Sequence, residues 1–170
     1  MPISDLLLPE YDAEIATTRK VLERVPDDED WGAWKPHPKS FPMAHLAQLV
    51  AMLPGWVAMT LEKTELDIAP KEGPRTGYTI ETTATLLAMF DRNAKEGRAA
   101  LVKATDEDFQ VPWTLKAAGN AVMTQPRYMI LRQMVINHLV HHRAQLGLYL
   151  RLAGEKVPSM YGPTADDKKP

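Results

Sequence analysis

With 170 residues, 45% apolar and 25% charged, the chain has the size and balance of one globular domain with a sizeable core, well away from the charged, apolar-poor regime of disorder. Twenty Lys and Arg against 22 Asp and Glu leave a net charge of −2, interspersed along the sequence, which excludes the basic stripe that a nucleic-acid partner requires. The lack of cysteine excludes disulfides, a thiolate nucleophile from the chain and Cys-ligated metal, so metal chemistry here must use nitrogen and oxygen.

Residues 1–10 lack the basic region and apolar run of a signal peptide, and no window reaches the ~20 apolar residues of a membrane span, so the expected location is cytoplasmic, with no membrane partner. A first helix is predicted from Ile3 to Val25, where Leu7, Tyr11, Ile15, Thr18 and Leu22 recur at spacings of three and four before Pro26 and the solvated acidic run Asp27–Asp30. The next stretch, to Ser40, holds Trp31, Trp34, Pro36, His37 and Pro38 and reads as a loop packed on the helices by its indoles, with His37 exposed. Ser40 is the expected N-cap of a second helix running to Glu65, with Pro54–Gly55 kinking or breaking it midway.

A turn-rich stretch from Asp67 to Gly77 leads to a third helix, Thr79 to Ala104. From Asp106 to Thr124 the pattern is non-helical, and Phe109, Val111, Trp113 and Leu115 alternate as in a small hairpin. The fourth helix, Gln125 to Ala153, has the cleanest period and is stopped by Gly154. Four amphipathic helices without a strong strand signal predict an all-α four-helix bundle over residues 1–154, with long loops after helices one and three and an irregular tail over 155–170.

The chemistry concentrates in helix four. His138 and His142 are one turn apart, about 40° round the axis, so both imidazoles leave the same side. They fall in the stripe Leu131, Val135, His138, His142, Gln145, Tyr149, whose 4-3-4-3-4 rhythm faces a core although three consecutive members are polar. An unsatisfied buried polar group costs roughly 1–3 kcal/mol, and a metal ion would satisfy two rings at once. The bland alternative is a hydrogen-bonded core pair. A catalytic site generally offers three protein ligands and an open position, and His45, heading the stripe His45, Leu49, Met52, Trp56, is the preferred third. His141 points to the flank and Gln145 inward, as residues that orient the ligands. Arg143 reads as a solvated or salt-bridged flank residue. No Glu-x-x-His pairs are present, which excludes a ferritin-like di-iron centre.

The run Ser40-Phe41-Pro42-Met43-Ala44-His45-Leu46, with His138-x-x-x-His142 inside a His-His-Arg-x-Gln segment, resembles the DinB/YfiT-like superfamily of metal-dependent enzymes. The resemblance runs from the first helix to about Gly154. It implies an up-down-down-up bundle, often a homodimer, with His45, His138 and His142 on one divalent ion. Zinc or nickel is expected first, and iron or manganese also accepts imidazole. It further implies stress-related members and thiol-dependent transferases or isomerases. Ala144 stands where glycine is common in that motif. Two readings of function follow: an enzyme catalysing thiol-dependent transfer, or metal-assisted hydrolysis or isomerisation, of a small molecule with a low-molecular-weight thiol as cosubstrate; or a non-catalytic, metal-stabilised dimeric stress-response module. An apolar small-molecule binder without metal is a weaker third.

Overall fold

The structure, a computed structural model, describes residues 1–27, 32–70 and 82–167. Trp31, most of the acidic run, the start of the expected third helix and Lys168–Lys169 lie outside them.

Helix α1, Ile3–Leu22, buries Leu7, Tyr11, Glu14, Thr18 and Leu22 on one stripe. Trp34 from the following loop meets Tyr149 edge-on, with ring centroids 5.7 Å apart. Helix α2, Met43–Met52, begins two residues later than expected. Its N-cap is Pro42, with no side-chain cap, so Ser40 does not cap it. The Pro54–Gly55 dipeptide both breaks and bends the pattern: α3, Gly55–Glu62, leaves α2 at 50°. The last carbonyls of a helix need outside donors, and Asn93 Nδ2 donates to the Ala51 carbonyl at 2.9 Å. Helix α4, Thr83–Lys103, supplies Asn93 and packs against the bend through Gly97, where a Cβ would lie 2.5 Å from both the Pro54 carbonyl oxygen and the Tyr11 hydroxyl. A capping box of Thr82 and Thr85 starts α4.

The expected all-α, up-down-down-up four-helix bundle is overturned by a three-stranded mixed sheet. Strand β1, Glu65–Asp67, runs parallel to β2, Pro112–Ala117, which pairs antiparallel with β3, Asn120–Pro126. A short helix α5, Asp106–Gln110, precedes β2. The hairpin foreshadowed by the alternation at Trp113 and Leu115 is therefore present, but it gains a third strand. Ala118 and Gly119, both at positive φ, form its two-residue turn. The Asp67 carboxylate accepts from the backbone N–H groups of Ala69, Ala118 and Gly119 at 2.7–3.1 Å, tying β1 to that turn. These bonds, the one from Ala69 first, hold its pKa below the usual carboxylate value. A strand of three residues, Glu-Leu-Asp, is too short to show period-two alternation, and its partner lies about 50 residues away.

The expected fourth helix gives up Gln125 and Pro126 to β3 and begins as α6, Arg127–Ile130. It continues without a break through a π-helical stretch, Leu131–Asn137, into α7, His138–Leu152. Gly154, at φ 83°, ends it as expected, and Glu155 N–H donates back to the Leu150 carbonyl. Beyond it, Val157 is buried and Met160 packs on the core. Asp166 accepts from Val157 N–H and pairs with Arg151, while Thr164 donates to the Val157 carbonyl.

Three apolar clusters organise the interior. One joins the end of α1 to α2, α4 and α7. The second joins the start of α1 to α3, the end of α4 and the π-helical stretch. The third, Trp113, Leu115 and Ile130, lies under the sheet. No single helix among the described residues is long and apolar enough to cross a membrane.

Candidate functional site

The helical rise that sets His138 and His142 one turn apart brings their Nε2 atoms to 2.8 Å. His142 is buried and His138 half-buried. The outer nitrogen of each ring faces an oxygen acceptor. His142 Nδ1 lies 2.7 Å from Gln145 Oε1, and His138 Nδ1 lies 3.3 Å from the Met134 carbonyl. Met134 sits in the π-helical stretch, a wider coil that is rare and often marks functional positions.

These three contacts constrain the proton inventory. Two neutral imidazoles carry two N–H protons between them. If both Nδ1 atoms donate outward, both Nε2 atoms present lone pairs to each other across 2.8 Å. A third proton would resolve the clash by charging the pair, but burial pushes the pKa of both rings below 6.5 and so favours the neutral forms. A cation between the lone pairs resolves it directly. Two nitrogens on one tetrahedral zinc-like ion lie about 3.3 Å apart, given bonds of ~2.0–2.1 Å, so the pair needs to open by only about half an ångström. The two rings thus fit a shared metal, each oriented by an outer acceptor in the manner usual for metal-bound histidine.

His45 is half-buried in the first turn of α2, and its ring stacks on Phe41 at 4.3 Å and 10°. Phe41 is in turn 6.3 Å from the His142 ring. A charge on His45 would lower the pKa of His142, and burial lowers that of His45 itself. Among the described residues no three His, Asp or Glu side chains gather closely enough to hold an ion together. The structure therefore pairs His138 with His142 and sets His45 nearby, its ring stacked on Phe41. Exposed His141 lies edge-on to His142, with ring centroids 4.9 Å apart. Gln145 is also exposed, and reaches His142 from the solvent side. His37 is exposed and accepts from Lys39 N–H.

Three features escape a reading of spacing alone. Trp56 of α3 places its ring edge-on to His138 at 6.3 Å, an approach that depends on the bend at Pro54. The carbonyl of Met134 carries no side-chain signal. Arg143, expected on a solvated or salt-bridged flank, is fully buried beside His142. It pairs with Glu14 of α1 at 2.6 Å and donates to Thr18 Oγ1, the Glu14 carbonyl and the Tyr161 hydroxyl. Tyr161 closes the ring by donating to Glu14 Oε1 at 2.7 Å. A signal for this network exists in the stripe Leu7, Tyr11, Glu14, Thr18, whose 4-3-4 spacing turns a carboxylate inward.

The DinB family profile matches residues 4–169. A DinB-like protein from Bacillus cereus superposes with a TM-score of 0.70 at 21% identity, over 94% of this chain and 98% of that one. A DinB-like protein from Bacillus subtilis gives a TM-score of 0.65 at 15% identity, over 91% and 97%. At such identities the likeness is one of fold. No curated protein matches the chain.

Proposed function

Because the chain belongs to the DinB family, we propose that it is a metal-dependent enzyme acting on a small molecule, with His138, His142 and His45 holding one divalent ion. The observation that carries this reading is the 2.8 Å approach of the two Nε2 atoms, with each Nδ1 facing an oxygen of Gln145 or Met134. When bound, the ion supplies Lewis acidity, acidifying water or a thiol and polarising an electrophile. The chain's residues do the rest. Gln145 and the Met134 carbonyl hold the Nδ1 protons and so keep both inner nitrogens available. Phe41 stacks on His45 and Trp56 meets His138 edge-on, which gives each ring an apolar neighbour. Arg143, anchored to α1, fixes the rotation of α7 and with it the direction of His142.

With no cysteine in the chain, a thiol reactant must come from a cosubstrate, and transfer of a small thiol, or hydrolysis or isomerisation, is the reaction class. Zinc or nickel suits an imidazole donor set. A homodimer is the assembly proposed. The test is elemental analysis of protein purified without a polyhistidine tag. His142→Ala is expected to abolish metal retention and His141→Ala to spare it; equal losses, or no metal in the parent chain, would reject the reading.

A further inference from the structure

Residues 155–167 read in the sequence as an irregular tail, yet they lie along one face of α7. Arg143, Gly147 and Arg151 are spaced four apart and so share a stripe of that helix, and each meets the tail. Arg143 donates to the Tyr161 hydroxyl at 2.9 Å, with its guanidinium carbon 5.2 Å from the centre of the Tyr161 ring. Gly147 leaves a slot: a Cβ there would lie 2.7 Å from the Met160 methyl and 3.7 Å from Val157 Cγ1. Arg151 pairs with Asp166. The segment is also tied to itself, Thr164 Oγ1 donating to the Val157 carbonyl at 2.8 Å and Ser159 Oγ to Asp167 Oδ2 at 2.6 Å. It is a folded strap with three fixed points on one helix.

The Tyr161 point reaches further, because its hydroxyl donates onward to Glu14 Oε1 of α1 at 2.7 Å and so ties α7 to α1 directly beside His142. The 2.8 Å between the two Nε2 atoms is set inside α7 and survives any rotation of that helix. The interval to His45 does not. It crosses from α7 to α2 and is spanned by Phe41, whose ring stacks on His45 at 4.3 Å and lies 6.3 Å from the His142 ring. At ~6 Å from the axis, the outer radius of a helix with its side chains, a turn of ~10° carries a ring by ~1 Å. Metal–ligand distances tolerate only ~0.2 Å.

We propose that residues 155–167 form a strap that sets the rotation of α7 against α2 through Tyr161, which makes Tyr161 a positioning residue for the approach of His45 to the histidine pair. As a control on metal binding this rests on the proposed function; as a control on the helix geometry it does not.

Tyr161→Phe removes the hydroxyl from a residue that is 72% exposed and keeps its ring. In the full chain, kept metal-free with a chelator, nuclear Overhauser effects are compared between two pairs of ring protons: Phe41 with His142 across the helices, and His138 with His142, whose centroids lie 4.5 Å apart within α7, as the internal reference. The variant is expected to lose most of the first and keep the second. Cobalt(II) alone is then titrated in competition with a chelator, and the variant should bind about tenfold more weakly, at the lower end of what groups behind the ligands control. X-ray absorption of the cobalt form should count one imidazole fewer. If Tyr161→Phe fails to fold, Asp166→Asn, which releases the far end of the strap from Arg151, is read in the same way. An unchanged Overhauser ratio, or a cobalt affinity equal to the parent's, would overturn the proposal. A parent chain that binds no cobalt rejects the metal reading instead, and the Overhauser ratio alone then decides on the strap.

Discussion

Replacing Arg143 by Met tests whether α7 is held by a buried charge network. The guanidinium is almost wholly enclosed, with 1% of its side chain exposed, against an 11%-exposed Glu14 side chain at 2.6 Å. Removing one partner of such a pair leaves a buried carboxylate with the Tyr161 hydroxyl as its one donor among the described residues, and breaking a buried pair in this way costs about 3–5 kcal/mol. At about 2–4 °C per kcal/mol for a domain of this size, the melting temperature should fall by about 10 °C. The pair is not stabilising simply because it exists: Arg143 Nε is itself buried without a partner, and two desolvated charges repay their desolvation only with good geometry. Hence Glu14→Leu combined with Arg143→Met should recover at least half of the loss. Urea unfolding of the two single variants, the double variant and the parent forms a double-mutant cycle. A single Arg143→Met change costing under about 1 kcal/mol, or a double variant as unstable as the sum of the singles, would refute the argument.

Gly97→Ala places a Cβ 2.5 Å from the Pro54 carbonyl oxygen and the Tyr11 hydroxyl, so the gain of about 1 kcal/mol in helix propensity should be outweighed by overpacking of about 1–3 kcal/mol and loss of the 3.0 Å bond from Tyr11 to the Ala94 carbonyl. A net destabilisation of about 2 kcal/mol in urea is expected, and a neutral result would mean that the crossing is looser than it looks. Gln145→Leu removes the acceptor that orients His142 while leaving the core untouched, so chelator competition should show metal affinity down about 10–100-fold with an unchanged melting temperature of the metal-free protein. The pH dependence follows from the three histidines. His45, His138 and His142 have pKa values lowered from 6.5, burial being the main cause. Below pH 6.5 the unfolded chain therefore takes up protons that the native chain refuses, and stability of the metal-free protein falls as the pH drops, until the native rings protonate as well. Urea midpoints at pH 7.5 and 5.5 with a chelator present check the sign.

What the sequence revealed and concealed follows the range of the interactions involved. The His138–His142 pair depends only on the rise of one helix, so its spacing could be read directly. The position of His45 depends on how α2 meets α7, and the sequence says nothing of the Phe41 ring on which it stacks. The bend at Pro54–Gly55 was legible because a missing N–H acts locally. The use made of that bend by Gly97 and Asn93 of another helix was not. The sheet was half visible: β2 alternates, but β1 exists through pairing with residues about 50 positions away and through Asp67 gripping a distant turn. A π-helical stretch keeps its apolar residues Leu131, Val135 and Ile136 at spacings that an α-helix would also allow, so nothing in the pattern marks it. Arg143 was expected on a solvated or salt-bridged flank; the ion pair is there but buried, because its partner Glu14 lies on the inward stripe of α1.

X-ray absorption at the metal edge of the tag-free, zinc-loaded chain bears most directly on the histidine centre. The account predicts one ion per chain with imidazole nitrogens at about 2.0–2.1 Å, three in the parent and one fewer in His45→Ala. A spectrum without imidazole scattering, or an ion that His45→Ala leaves with its full complement, would contradict it.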